Sequence, residues 1–114
     1  MITVDKLNTF GANTAEGLAR CFGNEALYLK LVATIPNEAN FGKLKDAIEG
    51  KNLKDAFEAA HALKGALGNL SLTPIYAPVV EITELLRSET DMDYKSLLGT
   101  ILEKKDELSR LCAD

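Results

Sequence analysis

The sequence of 114 residues has few of the side chains that metal sites and disulfide-rich folds require. It contains two cysteines, Cys21 and Cys112, which form no CxxC pair, and a single histidine, His61. Zinc sites take three or four nitrogen, sulfur or oxygen ligands, and a disulfide framework needs more cysteines than two. We therefore expect no metal site, and we expect both thiols to be reduced and structural.

The chain also lacks a long apolar run and an excess of basic residues. No stretch approaches the ~20 apolar residues that a membrane-spanning helix needs, and the first residues do not form a basic segment followed by an apolar one. The net charge of -4 disfavours binding to nucleic-acid phosphates and to acidic membrane surfaces. The sequence therefore predicts a soluble, cytoplasmic protein that binds neither nucleic acid nor membrane.

What is present is the composition of a globular domain, with 46% hydrophobic and 26% charged residues. The length suits one domain, which we place at residues 1–114. Nearly every segment has apolar residues at the helical period, and no segment alternates as a strand does. Helix start signals stand at Asn13 or Thr14, at Asn24, at Asn52, and at Thr73-Pro74, where Thr73 is the predicted N-cap.

These helices are joined by short loops, which favour antiparallel neighbours. The predicted fold is all-α, an up-down antiparallel four-helix bundle at about residues 13–112 with an additional short helix at the amino end. In the amino-terminal part, one apolar set is Leu18, Cys21 and Phe22, and the next is Leu27, Leu31 and Ile35, spaced by four residues. Their periodicity predicts that these residues face the core.

His61 falls on the solvent side of the helix that begins after Asn52. At ~100° per residue, the large apolar residues of that helix form one stripe, from Leu53 and Phe57 to Leu63, Leu67 and Leu70. The direction of His61 differs from the centre of this stripe by more than a right angle. We therefore expect the imidazole to be exposed.

Two glycines, Gly65 and Gly68, share the side of the helix on which His61 lies. Each costs ~1 kcal/mol relative to alanine in a helix interior, so their pairing suggests a backbone left bare for a partner. Lys64, one turn from His61, adds a positive charge. A single histidine on a helix is most often an ordinary surface residue, and the residue types alone leave both interpretations open.

The segment from Ala60 to Leu72 contains the pattern H-x-L-K-G at residues 61–65. It closely resembles the signature of histidine-containing phosphotransfer (HPt) domains of two-component phosphorelays. Residues 17–25 resemble the first bundle helix of that family and the break after it, and residues 44–55 resemble its connector. The resemblance extends over about residues 13–112.

The resemblance implies a four-helix bundle in which His61 accepts a phosphoryl group from an aspartyl phosphate of a receiver domain and passes it to another receiver. Lys64 matches the lysine that accompanies the phosphoryl group, and Gly65 and Gly68 match the small positions beside it. Where this chain has Ser71 the family usually has glycine, and where it has Thr83 the family often has Glu or Gln. Arg87 stands where some members carry a basic residue, and its role stays open.

The chemistry of such a site needs an exposed, neutral imidazole, which an ammonium group such as that of Lys64 favours and which a side chain with an ordinary pKa of ~6.5 supplies near neutral pH. Glu58, one turn before His61, is a hypothetical hydrogen-bond acceptor for the imidazole, although a solvated carboxylate is the simpler interpretation. No phosphate-binding loop of the form GxxxxGK[ST] is present. We therefore expect no cofactor of its own, with Mg²⁺ held by the partner receiver.

The expected protein is a phosphocarrier without autonomous catalysis, monomeric, with response-regulator receiver domains and a sensor or hybrid histidine kinase as partners. The alternative is a phosphotransfer-inactive docking or inhibitory module that binds receivers, which Ser71 and Thr83 slightly favour. A small enzyme with His61 as general base is less well supported, because no nucleophile stands at a telling spacing. The bare-face interpretation predicts that Gly68→Gln leaves the bundle folded while it blocks docking.

Overall fold

The computed structural model describes residues 1–113, which fold into seven α-helices and one 3₁₀ turn without any strand in that range. The predicted carboxyl-terminal boundary at Asp114 lies outside the described residues. The helices are α1 Val4–Phe10, α2 Thr14–Arg20, α3 Glu25–Thr34, α4 Ala39–Glu49, α5 Leu53–Asn69, α6 Thr73–Arg87 and α7 Lys95–Ala113, and the 3₁₀ turn is Ile35–Asn37.

The helices α4 to α7 form a four-helix bundle, as predicted in kind, but it begins at Ala39 and not at about residue 13. Each of them packs against the next one, and α7 also contacts α4, so the four helices enclose one core. Short loops at residues 50–52, 70–72 and 88–94 make consecutive helices antiparallel. Three helices stand before the bundle, where the sequence predicted one additional short helix.

The bundle core consists of large aliphatic side chains that water does not reach. Burial of each such side chain contributes about 1.5–3 kcal/mol relative to exposure, so their sum is the main stabilising term. The core continues into α1 and α3 without a gap. Its fully buried members include Leu7, Tyr28, Val32, Leu44, Leu63, Leu67, Ile75, Ile82, Ile101 and Leu108.

Three predicted helix starts are confirmed by side-chain capping bonds. The side-chain oxygens of Asn13, Asn24 and Asn52 each accept a hydrogen bond from a backbone N–H group in the first turn of α2, α3 and α5. Each bond satisfies one donor that has no partner within the helix. Of the two residues considered for the start of α2, Asn13 is therefore the cap.

The start of α6 differs from the prediction. Leu72 is the N-cap, without a side-chain bond, and Thr73 is already the first helical residue. The chain turns sharply before it, because Ser71 adopts the left-handed conformation with φ 53°. The Thr73 hydroxyl donates a 3.4 Å hydrogen bond back to the carbonyl of Ser71, so it supports the turn and does not cap the helix.

The predicted apolar faces of α2 and α3 were partly wrong. Phe22 lies beyond the end of α2 in a left-handed conformation and is 95% exposed. Leu27 and Leu31 are also exposed, and the side of α3 that packs inward carries Tyr28 and Val32, followed by the buried Ile35.

The reason is a contact between α2 and α3 that helix periodicity does not reveal. A Cβ atom at Gly17 would lie 2.5 Å from the Tyr28 ring, so only glycine allows this ring to pack against α2. The Tyr28 hydroxyl donates a 2.9 Å hydrogen bond to the buried carbonyl of Leu70 at the end of α5. This packing rotates Tyr28, not Leu27, into the core.

Both cysteine thiols are unpaired in the structure, as expected. Cys21 is buried in the core, and Cys112 is half-buried near the end of α7. Burial raises the pKa of the Cys112 thiol, which lowers the fraction of reactive thiolate at neutral pH. In the described part of the chain, no helix combines the length and the apolar character needed to cross a membrane.

Candidate functional site

His61 lies in the middle of α5, and its side chain is exposed as the helical angle predicted. The inward side of the same helix carries Ala56, Ala60, Leu63 and Leu67, which are buried. Because α5 is held along its length by α4 and α6, the imidazole projects into water from a fixed backbone. A ring nitrogen is therefore accessible to a group on another protein.

One face of the imidazole is covered by an aromatic ring. The rings of Phe57 and His61 have centroids 5.7 Å apart and planes 19° apart, which is a stacked arrangement. Such pairs contribute about 0.5–1.5 kcal/mol beyond their area burial. Sequence reasoning assigned Phe57 to the buried stripe, but it is only partly buried. Its position one turn before His61 is the signal that could have identified it.

Arg87 reaches the site through Phe57 without touching His61. The guanidinium carbon of Arg87, the last residue of α6, lies 4.9 Å from the centroid of the Phe57 ring. The two side chains therefore form a cation–π contact. Its Nε atom donates a 3.3 Å hydrogen bond to Oε2 of Glu84. The side chains of Arg87, Phe57 and His61 thus make a continuous row on the surface.

Lys64 has a partner that sequence reasoning missed. Its Nζ atom lies 3.7 Å from Oε1 of Glu84, across the α5–α6 interface. Glu84 therefore joins both cations, Lys64 and Arg87. The spacing of Glu84 and Arg87 by three residues on one helix was visible in the sequence, but the contact with α5 depends on how the two helices align.

The two glycines of α5 have different surroundings. A Cβ atom at Gly65 would meet nothing within 4 Å, so the backbone there is bare as predicted. A Cβ atom at Gly68 would lie 3.0 Å from Cε1 of Tyr76 on α6. Gly68 therefore allows close packing between α5 and α6. That Gly68→Gln leaves the bundle folded while it blocks docking stays a prediction, and the Tyr76 ring would have to shift slightly to admit the new Cβ atom.

Two of the remaining residues, Thr83 and Glu58, form no hydrogen bond with His61 in the part of the chain that the structure describes. Thr83 is fully buried, and its hydroxyl donates a 2.6 Å hydrogen bond to the carbonyl of Val79, so it does not face the imidazole. Glu58 lines a different groove, together with Asn40 of α4 and Asp55 of α5. In residues 1–113 no hydrogen bond joins Glu58 to His61, so the structure does not support that hypothesis.

Ser71 adopts a backbone conformation that favours the glycine usual at its position. With φ 53°, the residue is in the left-handed region, which glycine adopts at no steric cost. Here the serine hydroxyl donates a 2.9 Å hydrogen bond to Oε1 of Glu16 on α2. The same carboxylate oxygen accepts hydrogen bonds from Arg20, at 3.4 Å from Nε and 3.3 Å from a terminal nitrogen.

These residues border a groove of about 520 Å³ between α2 and the α5–α6 pair, called the α2–α5 groove below. The groove reaches the imidazole, so the site is larger than α5 alone. In the described residues no three His, Cys, Asp or Glu side chains are placed to hold a metal ion together. The groove is lined by Asn13, Glu16, Arg20, His61, Lys64, Gly65, Gly68, Asn69, Ser71, Thr73 and Tyr76.

Chemically, the arrangement offers one accessible nitrogen nucleophile with cations on the adjacent helical turn and across the groove.

In comparisons with known proteins, a family model described as Hpt domain matches residues 37–114. The match contains α4 to α7 and therefore His61 and Lys64, whereas α1 to α3 precede it. The likeness of residues 13–36 to that family thus stays a prediction. Neither the curated proteins nor the solved structures searched contain a match.

Proposed function

We propose, from the premise that this chain belongs to the Hpt domain family, that His61 accepts a phosphoryl group from the aspartyl phosphate of one receiver domain and passes it to another. Hpt domains take part in phosphorelay histidine phosphotransfer as phosphocarriers, not as classical enzymes. The observation that carries the assignment to His61 is its exposed imidazole in the middle of α5, inside the matched segment.

In the transfer step, the unprotonated ring nitrogen of His61 attacks the phosphorus atom in line with the departing oxygen. The N–P bond forms while the P–O bond to the aspartyl carboxylate breaks, and the electron pair leaves with that carboxylate. The other ring nitrogen retains its proton. Passing the group on reverses these changes with a second carboxylate. Stacking against Phe57 fixes the plane of the imidazole, so its nitrogen edge stays directed outward.

Lys64 stabilises the phosphoryl group by its charge. Its ammonium group has three donors, so it can contact phosphoryl oxygens while it stays near Glu84. Before transfer, Glu84 limits the positive charge that Lys64 presents, and the incoming dianionic group then competes for it. Arg87 acts at longer range, through Phe57 and Glu84.

The other partners and cofactors follow from the same assignment. The chain has no cofactor of its own, and Mg²⁺ is held by the receiver, where it neutralises charge on the phosphoryl oxygens. The donor kinase is a sensor or hybrid histidine kinase, and the chain works as a cytoplasmic monomer. Gly65 leaves room for the receiver backbone beside His61.

The test is transfer from a purified, phosphorylated receiver domain to the wild type and to His61→Gln. We expect the wild type to acquire an acid-labile, base-stable label and His61→Gln to acquire none, because glutamine has no nucleophilic nitrogen. Both proteins should bind the receiver. Binding without labelling of the wild type would instead identify a docking module that does not transfer phosphate.

A further inference from the structure

The α2–α5 groove joins the imidazole to a helix outside the matched segment. One side of the groove is α5, with His61 and Lys64, and the other is α2, with Glu16 and Arg20. Because the family match begins at residue 37, nothing assigns a role to α2. A partner that reaches His61 over this side of the bundle must cover the groove.

Arg20 is held at this position by two successive contacts. The buried residue Ser71 anchors the Glu16 carboxylate across the α5–α6 turn, at 2.9 Å. Glu16 then receives two N–H groups of Arg20 on the same oxygen. Half of the Arg20 side chain remains exposed, and its second terminal nitrogen makes no hydrogen bond within residues 1–113. The guanidinium is therefore ordered and still able to bind an anion.

The hydrogen bond from Ser71 to Glu16 depends on a serine at a backbone position that favours glycine. Its left-handed conformation favours glycine, which would leave Glu16 without the hydroxyl. With serine, the residue accepts a less favourable conformation and gains a buried donor for Glu16. Through Glu16, the hydroxyl thus links Arg20 to the α5–α6 turn.

From these contacts we propose that Arg20, positioned by Glu16 and Ser71, selects the partner by pairing with a carboxylate on the docking face of the receiver. The inference rests on the proposed function. A receiver that binds Mg²⁺ beside its aspartyl phosphate must carry carboxylate ligands, since Mg²⁺ takes oxygen ligands. Its face toward His61 is therefore acidic, and Arg20 offers the planar donors that suit a carboxylate. Ser71 and Glu16 are positioning residues.

The test compares two phosphoryl donors on the same variants. Phosphoramidate is a small donor that needs no docking face, whereas a purified phosphorylated receiver must dock. For Arg20→Glu we expect labelling by phosphoramidate to change far less than transfer from the receiver, for which the apparent KM should rise about tenfold with kcat within about twofold. The difference should shrink as salt rises, because half-exposed charges are screened. Arg20→Lys should recover most of the loss.

Two further variants separate a partner contact from a structural role. The double variant E16R/R20E keeps an ion pair on α2 but reverses the charge at residue 20, and we expect it to be as defective as Arg20→Glu. Ser71→Gly fits the left-handed turn and removes only the hydroxyl, so we expect a two- to threefold rise in KM without loss of stability. Arg110→Glu, an exposed charge reversal near the end of α7, is the matched control.

The outcomes discriminate between the two claims. If the receiver labels the wild type and Arg20→Glu behaves like Arg110→Glu, the inference about Arg20 is overturned and the proposed function stands. Recovery of transfer in E16R/R20E also overturns it, because the ion pair alone would then matter. If the receiver labels no form of the protein while phosphoramidate does, the proposed function fails and the inference fails with it.

Discussion

At the scale of single residues, the imidazole of His61 stacks on Phe57 of the same helix. Arg87 of α6 makes a cation–π contact with the Phe57 ring. Lys64 and Arg87 share the carboxylate of Glu84. The aromatic contact and the shared carboxylate can be tested separately.

Phe57→Leu should slow transfer while it leaves the fold intact. Leucine preserves most of the packing of this half-buried position, so we expect the free energy of unfolding to fall by about 1 kcal/mol or less. Loss of the stacked ring frees the imidazole to rotate, which should reduce the single-turnover transfer rate several-fold. Phe10→Leu, a partly buried phenylalanine on α1, is the control. Equal rates for both variants would refute the orienting role of Phe57.

Glu84→Gln should strengthen the stabilisation of the phosphohistidine by Lys64. Without the carboxylate, the ammonium is free to pair with the phosphoryl group, so we expect the half-life of the phosphohistidine to rise about two- to threefold. Lys64→Ala should shorten it. Unfolding should change little, because exposed ion pairs contribute about 0–1 kcal/mol. The half-life is measured after removal of the receiver, with Glu81→Gln, an exposed carboxylate on α6, as the control.

Gly65→Gln should stabilise the helix and block transfer from a receiver. The site has open space, and glutamine is a better helix former than glycine by about 0.5–1 kcal/mol, so the melting temperature should rise. The new side chain stands beside His61 and should reduce transfer at least tenfold. Gly99→Gln, at an equally open position on α7, should show only the stabilisation. Unimpaired transfer in Gly65→Gln would contradict a bare docking face.

At the scale of the elements, Tyr28 of α3 joins this helix both to α2 and to the end of α5. The Tyr28 ring fills the space beside Gly17, and its hydroxyl pairs with the carbonyl of Leu70 at the α5–α6 turn. Burial, and secondarily the thiol of Cys21, raises the pKa of Tyr28 above the ordinary value of 10.0. The folded protein therefore holds this proton more tightly than the unfolded chain does.

This shift determines how stability depends on pH. The stabilisation is fully present below the ordinary pKa of ~10 and is lost as pH rises toward the folded-state pKa. We expect Tyr28→Phe to cost about 1–2 kcal/mol at neutral pH, since it leaves the Leu70 carbonyl without its partner. In alkaline solution the variant should lose less stability than the wild type. Urea unfolding at neutral and alkaline pH measures both, and parallel pH profiles would contradict the assignment.

Local signals in the sequence predicted where the helices lie better than which side of each helix faces the core. The asparagine caps and the long helices follow from side-chain chemistry and apolar period, which act within one turn. The face of α3 was missed because leucines and a tyrosine alternate there, and the choice depends on Gly17 of another helix. Phe22 was misplaced because α2 ends before it, with a left-handed turn that the apolar period does not report.

At the scale of the whole molecule, the bundle places the single histidine of the chain on an exposed side of α5. The exposure of His61 was predictable, because the core stripe of α5 fixes which side faces water. The contacts of Lys64, Phe57 and Ser71 near it were not predictable, because their partners Glu84, Arg87 and Glu16 lie on other helices and their approach depends on how those helices align. The resemblance predicted the roles of His61 and Lys64, whereas the structure shows which residues these two contact.

The most direct test of the account is to locate the phosphoryl group after transfer from a phosphorylated receiver. Trypsin cleaves after Lys54 and Lys64, and the peptide between these sites, Asp55 to Lys64, contains the single histidine of the chain. Mass spectrometry at neutral pH should find the added phosphoryl group on this peptide, with fragment ions that place it on His61. A stable phosphoryl group on any other peptide, or none on the wild type, would contradict the central claim.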